Sequence, residues 1–278
     1  MTSFAVRLRV IVVSLTTVML MLTDISDARI DPESIVGMWL FDEIDDKGFT
    51  TDVSGKGNHG QVMNNPELVE GKFGKAFLFG KGKVVVVPHR EQLTLNKVVS
   101  ISAWVKRPLR ENAADIDTAP FYILEKGGTW AHGQLGEANY GVALHKIFGN
   151  MLYFFFKDGF RGIDGIPDDN WHHYAVVAIH RESDPEMYID GELKPVQHRD
   201  GSAKINLDFN TRDLHIGALL PERFDSYSEN TIDEVIIFDT ALTAADVRRL
   251  QKGTENTFFA VSPSRKLATT WAEIKQAR

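Results

Sequence analysis

The sequence of 278 residues contains no cysteine, which excludes a disulfide framework, a thiol nucleophile and a cysteine-ligated zinc site. It also lacks a cluster of basic residues, and its net charge is −7 at pH 7. Binding to nucleic acid requires a basic surface that replaces the counterions of the phosphates. We therefore expect no nucleic-acid partner, and the fold must depend on core packing, aided at most by a hard cation.

The apolar run near the N-terminus, Val10 to Leu22, is too short for a typical membrane span, which needs about twenty residues. Arg7 and Arg9 precede this run, and Ser26-Asp27-Ala28 places small residues where a signal peptidase cleaves. The pattern predicts a signal peptide over residues 1–28 and a secreted or periplasmic mature chain without a membrane span. An uncleaved N-terminal anchor is the alternative.

Most of the chain alternates short segments rich in β-branched and aromatic residues with turns that contain glycine. Helical segments do not alternate with these strands, which excludes a parallel sheet of βαβ units. In "SISAWVK", Ile101, Ala103 and Val105 share one face, whereas Ser102 and Trp104 share the other. The pattern predicts an all-β protein with two antiparallel sheets packed as a sandwich.

One segment near the C-terminus, "TALTAADVRRLQKG", has the pattern of a short helix. Thr243 is a good N-cap, Asp246 follows at the position of a capping box, and Gly253 can end the helix. We predict one main domain over residues 29–260 and a polar tail over residues 261–278.

The stretch "NWHHYAVVAIHRESDPEMYIDGE" contains paired histidines that invite a metal or catalytic interpretation. Adjacent residues on a strand point to opposite faces, so His172 and His173 cannot both reach one ion. Asp190-Gly191 is typical of a type I′ hairpin turn. The stretch therefore predicts a strand and a hairpin in which both histidines are structural.

Several motifs occur in one order: "MWLFDE", "TDVSGKGNHG", "GKFGKAFLF", "VSISAWVK", "ILEKGG", "NWHHYAVV", "MYIDGE", "LHIG" and "TIDEVIIFDTALTAADVRRL". This order resembles the laminin-G-like jelly rolls of the concanavalin A-like lectin/glucanase superfamily. The resemblance implies a two-sheet antiparallel jelly-roll sandwich used for extracellular recognition of glycans or proteins. Some members of the superfamily bind calcium, and others are glycoside hydrolases.

A retaining glucanase of this superfamily carries Glu-x-Asp-x-x-Glu on a strand, because alternate carboxylates then flank the sugar bond. The nearest segment here is "EIDDKG", in which Glu43 and Asp45 fit but Gly48 replaces the third carboxylate. No nucleophile elbow or zinc-protease motif is present either. We predict that the protein is not an enzyme, with a glycoside hydrolase as the weaker alternative.

Carbohydrate binding needs aromatic faces for stacking and polar groups that bond to the sugar hydroxyls. Two segments between strands supply such residues: Trp130, His132 and Asn139 from the first, and Phe160, Arg161 and Asp164 from the second. We predict that these segments border one glycan site. Trp130 and Phe160 could instead cover the edge of the core, and an extracellular protein is the alternative ligand.

The segment "TDVSGKGNHG" can turn oxygen ligands inward, as a hard cation requires. Asp52 and Asn58 lie in it, and the resemblance implies that Asp42 and Asp233 approach from adjacent first and last strands. We predict a structural calcium ion held by these four residues. The alternative is that Asp52 and Asn58 only form hydrogen bonds within their own turn.

Overall fold

The structure, a computed structural model, describes residues 30–80, 82–107, 121–127, 138–145, 151–165, 168–218, 229–254 and 257–258. Within these ranges the chain forms two antiparallel sheets, one α-helix and two 3-10 helices, at Pro32–Ser34 and Glu91–Leu93. The described residues from Asp31 onward belong to one compact unit. The prediction of an all-β two-sheet sandwich with a short C-terminal helix is confirmed.

The first sheet contains eight strands within the described residues. In spatial order they are β14 (Glu192–Lys194), β13 (Glu186–Ile189), β12 (Trp171–Ile179), β7 (Val98–Lys106), β17 (Asn230–Phe238), β5 (Lys75–Phe79) and β4 (Glu67–Glu70), and β1 (Ile35–Trp39) also pairs with β17. Strand β17 pairs with β7 along one edge and with β5 and then β1 along the other. The first and last strands therefore lie side by side, as the resemblance implies.

The second sheet contains nine strands in the same described ranges. In spatial order they are β15 (His198–Gly201), β11 (Gly159–Asp164), β10 (Met151–Phe156), β9 (Tyr140–His145), β8 (Phe121–Lys126), β16 (Leu214–Ile216), β6 (Val84–Val87), β3 (Gly60–Met63) and β2 (Phe49–Thr50). Strands β10 and β11 form a hairpin in which Phe156 faces Gly159 and Met151 faces Asp164. The turn at 157–158 and the Asp164 terminus thus lie at opposite ends of this hairpin.

The sequence analysis was wrong to place Phe160, Arg161 and Asp164 in a segment between strands, because all three belong to strand β11. All six residues of β11 pair with β10, although two of them are glycines. Gly162 has a steric reason to be glycine, because a Cβ there would lie 2.6 Å from the ring of Tyr153. Gly162 therefore admits a neighbouring ring, Gly159 admits the backbone of Asp200, and neither glycine ends the strand.

The core lies between the two sheets and follows the predicted alternation. Ile101, Ala103 and Val105 belong to the main buried cluster, whereas Ser102 and Trp104 lie on the other face of β7. Burial of one large apolar side chain contributes about 1.5–3 kcal/mol, so this cluster supplies the main driving force for folding.

Helix α1 (Ala244–Leu250) begins as predicted. The Thr243 side chain accepts a hydrogen bond from the backbone N–H of Asp246, and the Asp246 carboxylate accepts one from the Thr243 N–H at 2.9 Å. Gly253, with φ of 94°, follows the helix. Val247 and Leu250 are the buried residues of α1, so its apolar side is packed against the protein.

Alanine substitutions at Gly48 and Gly217 measure the free-energy cost of backbone strain separately from the cost of steric crowding. Both have positive φ, 87° and 81°, but a Cβ at Gly217 would overlap the ring of Phe79, whereas no atom lies within 4 Å at Gly48. We expect Gly48→Ala to cost about 1–2 kcal/mol from left-handed backbone alone. Gly217→Ala should cost about 1–3 kcal/mol more from overpacking. Urea unfolding measures both, and equal losses would contradict the packing argument.

Candidate functional site

A cleft of about 360 Å³ lies at the end of the sandwich where β10 turns into β11. It is lined by Ala138, Lys157, Asp208, Phe209, Asn210, Thr211 and Arg212. Phe209 is 62% exposed, the highest value among the exposed large hydrophobic residues of the described ranges. Lys157 and Asp208 form an ion pair in the lining. An exposed ring among charged and amide groups has the composition of a sugar-binding site.

Lys126, a fully buried residue at the end of β8, holds the loop that contains Phe209 from the interior of the protein. Its ammonium donates hydrogen bonds to Oδ1 of Asn210 at 2.9 Å and to the carbonyl of Arg212. Burial lowers the pKa of Lys126 to about 8, against the opposing effect of the Asp213 charge. Lys126 is therefore mainly protonated at neutral pH, and a buried cation holds the backbone on the C-terminal side of Phe209.

The described end of the first predicted ligand segment reaches this cleft. Trp130 and His132 lie outside the described residues, whereas Ala138 lines the cleft. Asn139 is fully buried, and its amide donates to the carbonyls of Asp208 at 2.6 Å and Leu95 at 3.1 Å. Asn139 therefore positions the residue that precedes Phe209, and it does so from inside the protein.

Phe160 lies on a second aromatic surface, separate from the main core. We call it the aromatic face, and it consists of Tyr122, Ala143, Met151, Tyr153, Phe155 and Phe160. The Phe160 ring lies 5.2 Å from both the Tyr153 and the His198 rings, and the residue is 7% exposed. This burial agrees with the alternative that Phe160 covers hydrophobic surface.

Arg161 points to the side of the sheet opposite Phe160, since neighbours on a strand alternate. It is 2% exposed, and its guanidinium donates to the carbonyls of Ser183 at 3.0 Å and Ser202 at 2.8 Å and to the Asp184 carboxylate at 3.1 Å. These bonds tie β11 to two neighbouring segments. The structure thus gives Arg161 a structural role and does not bring it to the Phe209 cleft.

Asp164 ends β11 at the other end of the hairpin, where it lines a second cleft of about 510 Å³. His172 also lines this cleft, and its ring lies between two carboxylates, with Nδ1 2.7 Å from Asp190 and Nε2 2.9 Å from Asp168. Burial lowers the pKa of His172, but the hydrogen bonds to Asp190 and Asp168 outweigh it, so the pKa is raised. Among the described residues, Asn139 therefore lies near the first cleft and Asp164 at the second. That the two segments border one site stays a prediction, because Trp130 and His132 lie outside the described residues.

His173 points to the opposite face of β12 from His172, as predicted. It is fully buried, its Nε2 lies 2.8 Å from Oγ of Ser102, and its ring packs 5.3 Å from that of Trp104. Burial lowers the pKa of His173 to about 4. A neutral imidazole enclosed in this way has a structural role.

Two of the predicted calcium ligands, Asp52 and Asn58, hold the N-terminal strand. The Asp52 carboxylate accepts backbone hydrogen bonds from Met38, Ser54 and Asn58 at 2.8–2.9 Å. The Asn58 amide donates to the carbonyl of Val36 at 2.7 Å. Both carboxylate oxygens of Asp52 are thus hydrogen-bonded within the turn and to β1.

The other two, Asp42 and Asp233, lie at the turn between β4 and β5. Oδ1 of Asp42 accepts from the Lys75 N–H at 2.8 Å, and Oδ2 of Asp233 accepts from the Phe73 N–H at 2.9 Å. Oδ1 of Asp233 is buried without a hydrogen-bond partner. Among the described residues no three His, Asp or Glu side chains group to hold a metal. The predicted four ligands therefore divide into two pairs.

The incomplete glucanase pattern lies in a turn. Oδ1 of Asp45 accepts hydrogen bonds from the backbone N–H groups of Lys47 at 2.9 Å and Phe49 at 2.7 Å. Glu43 is exposed, and neither residue belongs to a strand. The alternation that would place two carboxylates on one face of a strand is therefore missing here.

The sequence analysis missed Phe209 and Lys126, which define the cleft. Phe209 stands in "NLDFNTRD", where a single aromatic residue among polar ones in an irregular segment signals exposure. Lys126 ends strand β8 directly after Glu125, and its partner Asn210 is 84 residues away. Only the folded structure reveals that contact.

A laminin-G family model, described as concanavalin A-like lectin/glucanases superfamily, matches residues 79–248. The match covers more than half of the chain, so the protein belongs to this superfamily. No curated protein matches the sequence significantly. In the described residues, no helix has the length and apolarity to cross a membrane.

The fold is similar to several solved binding domains. The binding domain of Paraclostridial Mosquitocidal Protein 1 superposes with a TM-score of 0.57 at 16% identity, over 79% of this chain and 52% of that one. The binding domain of botulinum neurotoxin DC, solved with rat synaptotagmin II, gives a TM-score of 0.55 at 16% identity, over 80% and 52%.

A Trypanosoma rangeli sialidase in complex with 2,3-difluorosialic acid gives a TM-score of 0.53 at 15% identity. The match covers 79% of this chain and 32% of the sialidase. The chain thus spans about half the length of the toxin binding domains and a third of the sialidase. At such identities the similarity establishes the fold alone.

Asp52→Ala tests the role of the buried carboxylate in holding β1. The substitution leaves three backbone N–H groups without an acceptor, and each buried unpaired donor costs about 1–3 kcal/mol. Asp52→Asn, which keeps one oxygen, should lose less. Asp45→Ala is the matched control, because Asp45 also accepts two backbone hydrogen bonds but is exposed. Unfolding in guanidinium chloride measures the stability of each variant. A larger loss of stability for Asp45→Ala than for Asp52→Ala would refute the role of Asp52 in holding β1.

Proposed function

We propose that this protein is an exported, non-catalytic recognition module that binds carbohydrate at the cleft beside Phe209. The observation that carries the proposal is the exposed Phe209 ring among Lys157, Asp208 and Asn210. Sugar C–H groups stack on such a ring, and the polar groups bond to hydroxyls. The fold that this chain shares with solved toxin binding domains supports a recognition role.

The absence of catalysis in this proposal rests on the position of the carboxylates. Asp45 serves its own turn, Glu43 lies outside any strand, and Gly48 replaces the acid/base of the glucanase pattern. A retaining mechanism requires two carboxyl groups about 5–5.5 Å apart across the sugar bond. Release of reducing ends from β-glucans that Glu43→Gln abolishes would overturn this part of the proposal.

A protein ligand is the second candidate, because an exposed aromatic ring also anchors protein interfaces. The similarly folded binding domain of botulinum neurotoxin DC was solved with rat synaptotagmin II. A glycan array and a pull-down from an extracellular fraction distinguish the two classes. If the pull-down captures a protein even after its glycans are removed, and no glycan on the array binds, the ligand is a protein.

Phe209→Ala should weaken binding of the best array ligand, because it removes the stacking surface. Central aromatic anchors typically contribute about 2 kcal/mol or more, which corresponds to about thirtyfold in Kd. Leu193→Ala is the control, since Leu193 is 58% exposed but does not line this cleft. Isothermal titration calorimetry measures both variants. An unchanged Kd in Phe209→Ala would remove the cleft from consideration.

Export rests on the Arg-flanked apolar run and the small residues before Arg29. N-terminal sequencing of the protein from the culture medium or periplasm should begin near Arg29. Recovery of a chain that starts at Met1 in the membrane fraction would favour an uncleaved anchor.

We also propose that Asp42 and Asp233 bind a structural calcium ion. These residues are two of the four calcium ligands predicted from the sequence. Burial, together with the nearby charges of Glu234 and Asp42, raises the pKa of Asp233 to about 8, although a backbone hydrogen bond from Phe73 acts to lower it. The unpartnered Oδ1 of Asp233 needs a proton or a cation. Two carboxylates with backbone carbonyls and water suit calcium, which takes six to eight oxygen ligands.

Calcium should raise the melting temperature in a manner that depends on pH. Without the ion, the native Asp233 carboxyl binds a proton that the unfolded state releases near pH 4, so stability falls as pH rises through about 8. Calcium at about 100 times its Kd should add about 2.7 kcal/mol, most visibly at high pH.

Asp233→Asn should abolish this calcium effect, whereas the exposed Asp46→Asn should retain it. Differential scanning calorimetry with calcium and with excess chelator measures the shift. Identical transitions of the unmodified protein under both conditions, at low and high pH, would refute the calcium site.

A further inference from the structure

The histidine near the start of β12, His172, lies between two carboxylates. Its Nδ1 is 2.7 Å from Oδ2 of Asp190, and its Nε2 is 2.9 Å from Oδ1 of Asp168. The residue is buried, so water has little access to the ring. Both ring nitrogens therefore have their hydrogen-bond partners within the protein.

This arrangement requires a protonated ring. A neutral imidazole has one N–H donor and one lone pair, whereas an imidazolium has two N–H donors. A carboxylate only accepts hydrogen bonds, so a neutral His172 would bond to one partner and direct its lone pair at an oxygen of the other. The distances on both sides of the ring thus describe an imidazolium held by two charge-assisted hydrogen bonds.

The two carboxylates belong to separate segments of the chain. Asp168 precedes β12, and its Oδ1 also accepts from the Asn170 N–H at 2.7 Å. Asp190 lies in the turn between β13 and β14, where its Oδ1 accepts from the His173 N–H at 2.9 Å and its own N–H donates to the His173 carbonyl at 2.8 Å. Asp190 is therefore fixed by backbone hydrogen bonds that do not depend on the ring proton.

Asp168 is the partner that the ring can lose more easily. Its side chain is 46% exposed, so water can replace the ring as a donor to its carboxylate. The contact of His172 with Asp190 is the shorter one, and Asp190 is already held in place by β12. A neutral ring therefore keeps its Nδ1–H bond to Asp190 and turns a lone pair towards Asp168.

Other charged groups of the described residues lie near this cluster. Those that line the second cleft with His172 and Asp190 are the carboxylates of Asp164 and Glu192 and the ammonium of Lys194. Arg107 follows β7, and its charge acts on Tyr174, which shares the face of β12 with His172. The direct contacts of the ring are those with Asp168 and Asp190, and these two carboxylates determine its affinity for the proton.

We propose that His172 is a proton-dependent switch at the second cleft. In its charged form the ring joins Asp168 to the β13–β14 turn, and after loss of one proton it keeps the bond to Asp190 and releases Asp168. Residues 168–170 are then no longer held against the turn that lines this cleft of about 510 Å³. The switch does not depend on which ligand the Phe209 cleft binds.

The pKa values of the two partners define the pH range of the switch. Burial acts to lower the pKa of His172, but the hydrogen bonds to Asp190 and Asp168 raise it above the ordinary value of 6.5. The stabilising contribution of the imidazolium is therefore complete below about pH 6.5 and is lost as pH rises through the higher native pKa.

At the acidic end, the hydrogen bond from His172 lowers the pKa of Asp168 from 3.8 to about 2. The contribution of the Asp168 carboxylate is therefore present above about pH 3.8 and is lost as pH falls through about 2. The ring thus joins the two segments in mildly acidic solution and releases Asp168 in alkaline solution.

Nuclear magnetic resonance of the purified protein tests the state of the ring. At pH 6 both ring nitrogens of His172 should have the ¹⁵N shifts of N–H groups, and the ring should titrate with a pKa above 6.5. Hydrogen exchange of residues 168–170, corrected for the intrinsic effect of pH, should lose at least about tenfold in protection as the ring is deprotonated. This is the effect expected from the loss of one charge-assisted hydrogen bond.

Asp168→Asn separates the switch from a general effect of charge. It removes one of the two carboxylate partners, so the pKa of His172 should fall and residues 168–170 should lose their protection already at pH 6. Asp164→Asn is the matched control, because it removes a carboxylate that lines the same cleft without being one of the two ring partners described above. This variant should keep both the high pKa and the protection, and melting temperatures verify that both variants are folded.

Three results would overturn the proposal. The first is a His172 ring that is neutral at pH 6 in the unmodified protein. The second is protection of residues 168–170 that stays constant while the ring titrates. The third is a fall in the pKa of His172 that is as large in Asp164→Asn as in Asp168→Asn.

Discussion

Strand β17 is the constraint on which the rest of the sandwich depends, since all nine of its residues are buried and it pairs with three neighbours. Its partner changes from β5 to β1 at Asp233 and Glu234, where Glu234 has a positive φ of 48°. The two carboxylates accept backbone hydrogen bonds from Phe73 and Thr254. The break in pairing therefore fixes both the β4–β5 turn and the segment after helix α1.

Buried polar side chains stabilise the loops of this chain, which has no disulfide to do so. Asp52 holds its turn against β1, Asn139 joins two loops, and Arg161 ties three segments together. Each residue is almost fully enclosed and directs its polar atoms to backbone groups. Such a bond contributes only about 0.5–1.5 kcal/mol, but an unpaired partner costs more, so these contacts specify loop positions more than they add stability.

The sequence alone predicts features that depend on residues close together in the chain. It does not predict contacts between residues that are far apart in the chain. Alternation in β7, the cap at Thr243 and the turn at Asp190 depend on neighbours within a few residues, and each matches the structure. Strand β11 was missed because the reason for Gly162 lies on the adjacent strand, where the Tyr153 ring leaves no room for a Cβ. The contact of Lys126 with a residue 84 positions away leaves no local signal at all.

The two aromatic residues considered for function, Phe160 and Phe209, differ in whether they lie in a strand. Phe160 belongs to a strand, and the pleat sends its ring onto the buried aromatic face. Phe209 belongs to no strand, and it remains exposed because Asn139 and Lys126 fix the backbone on either side of it. An exposed ring on a loop that is already ordered loses little conformational entropy when a ligand binds. A buried amide and a buried cation therefore hold the loop that exposes Phe209, although neither residue lines the cleft.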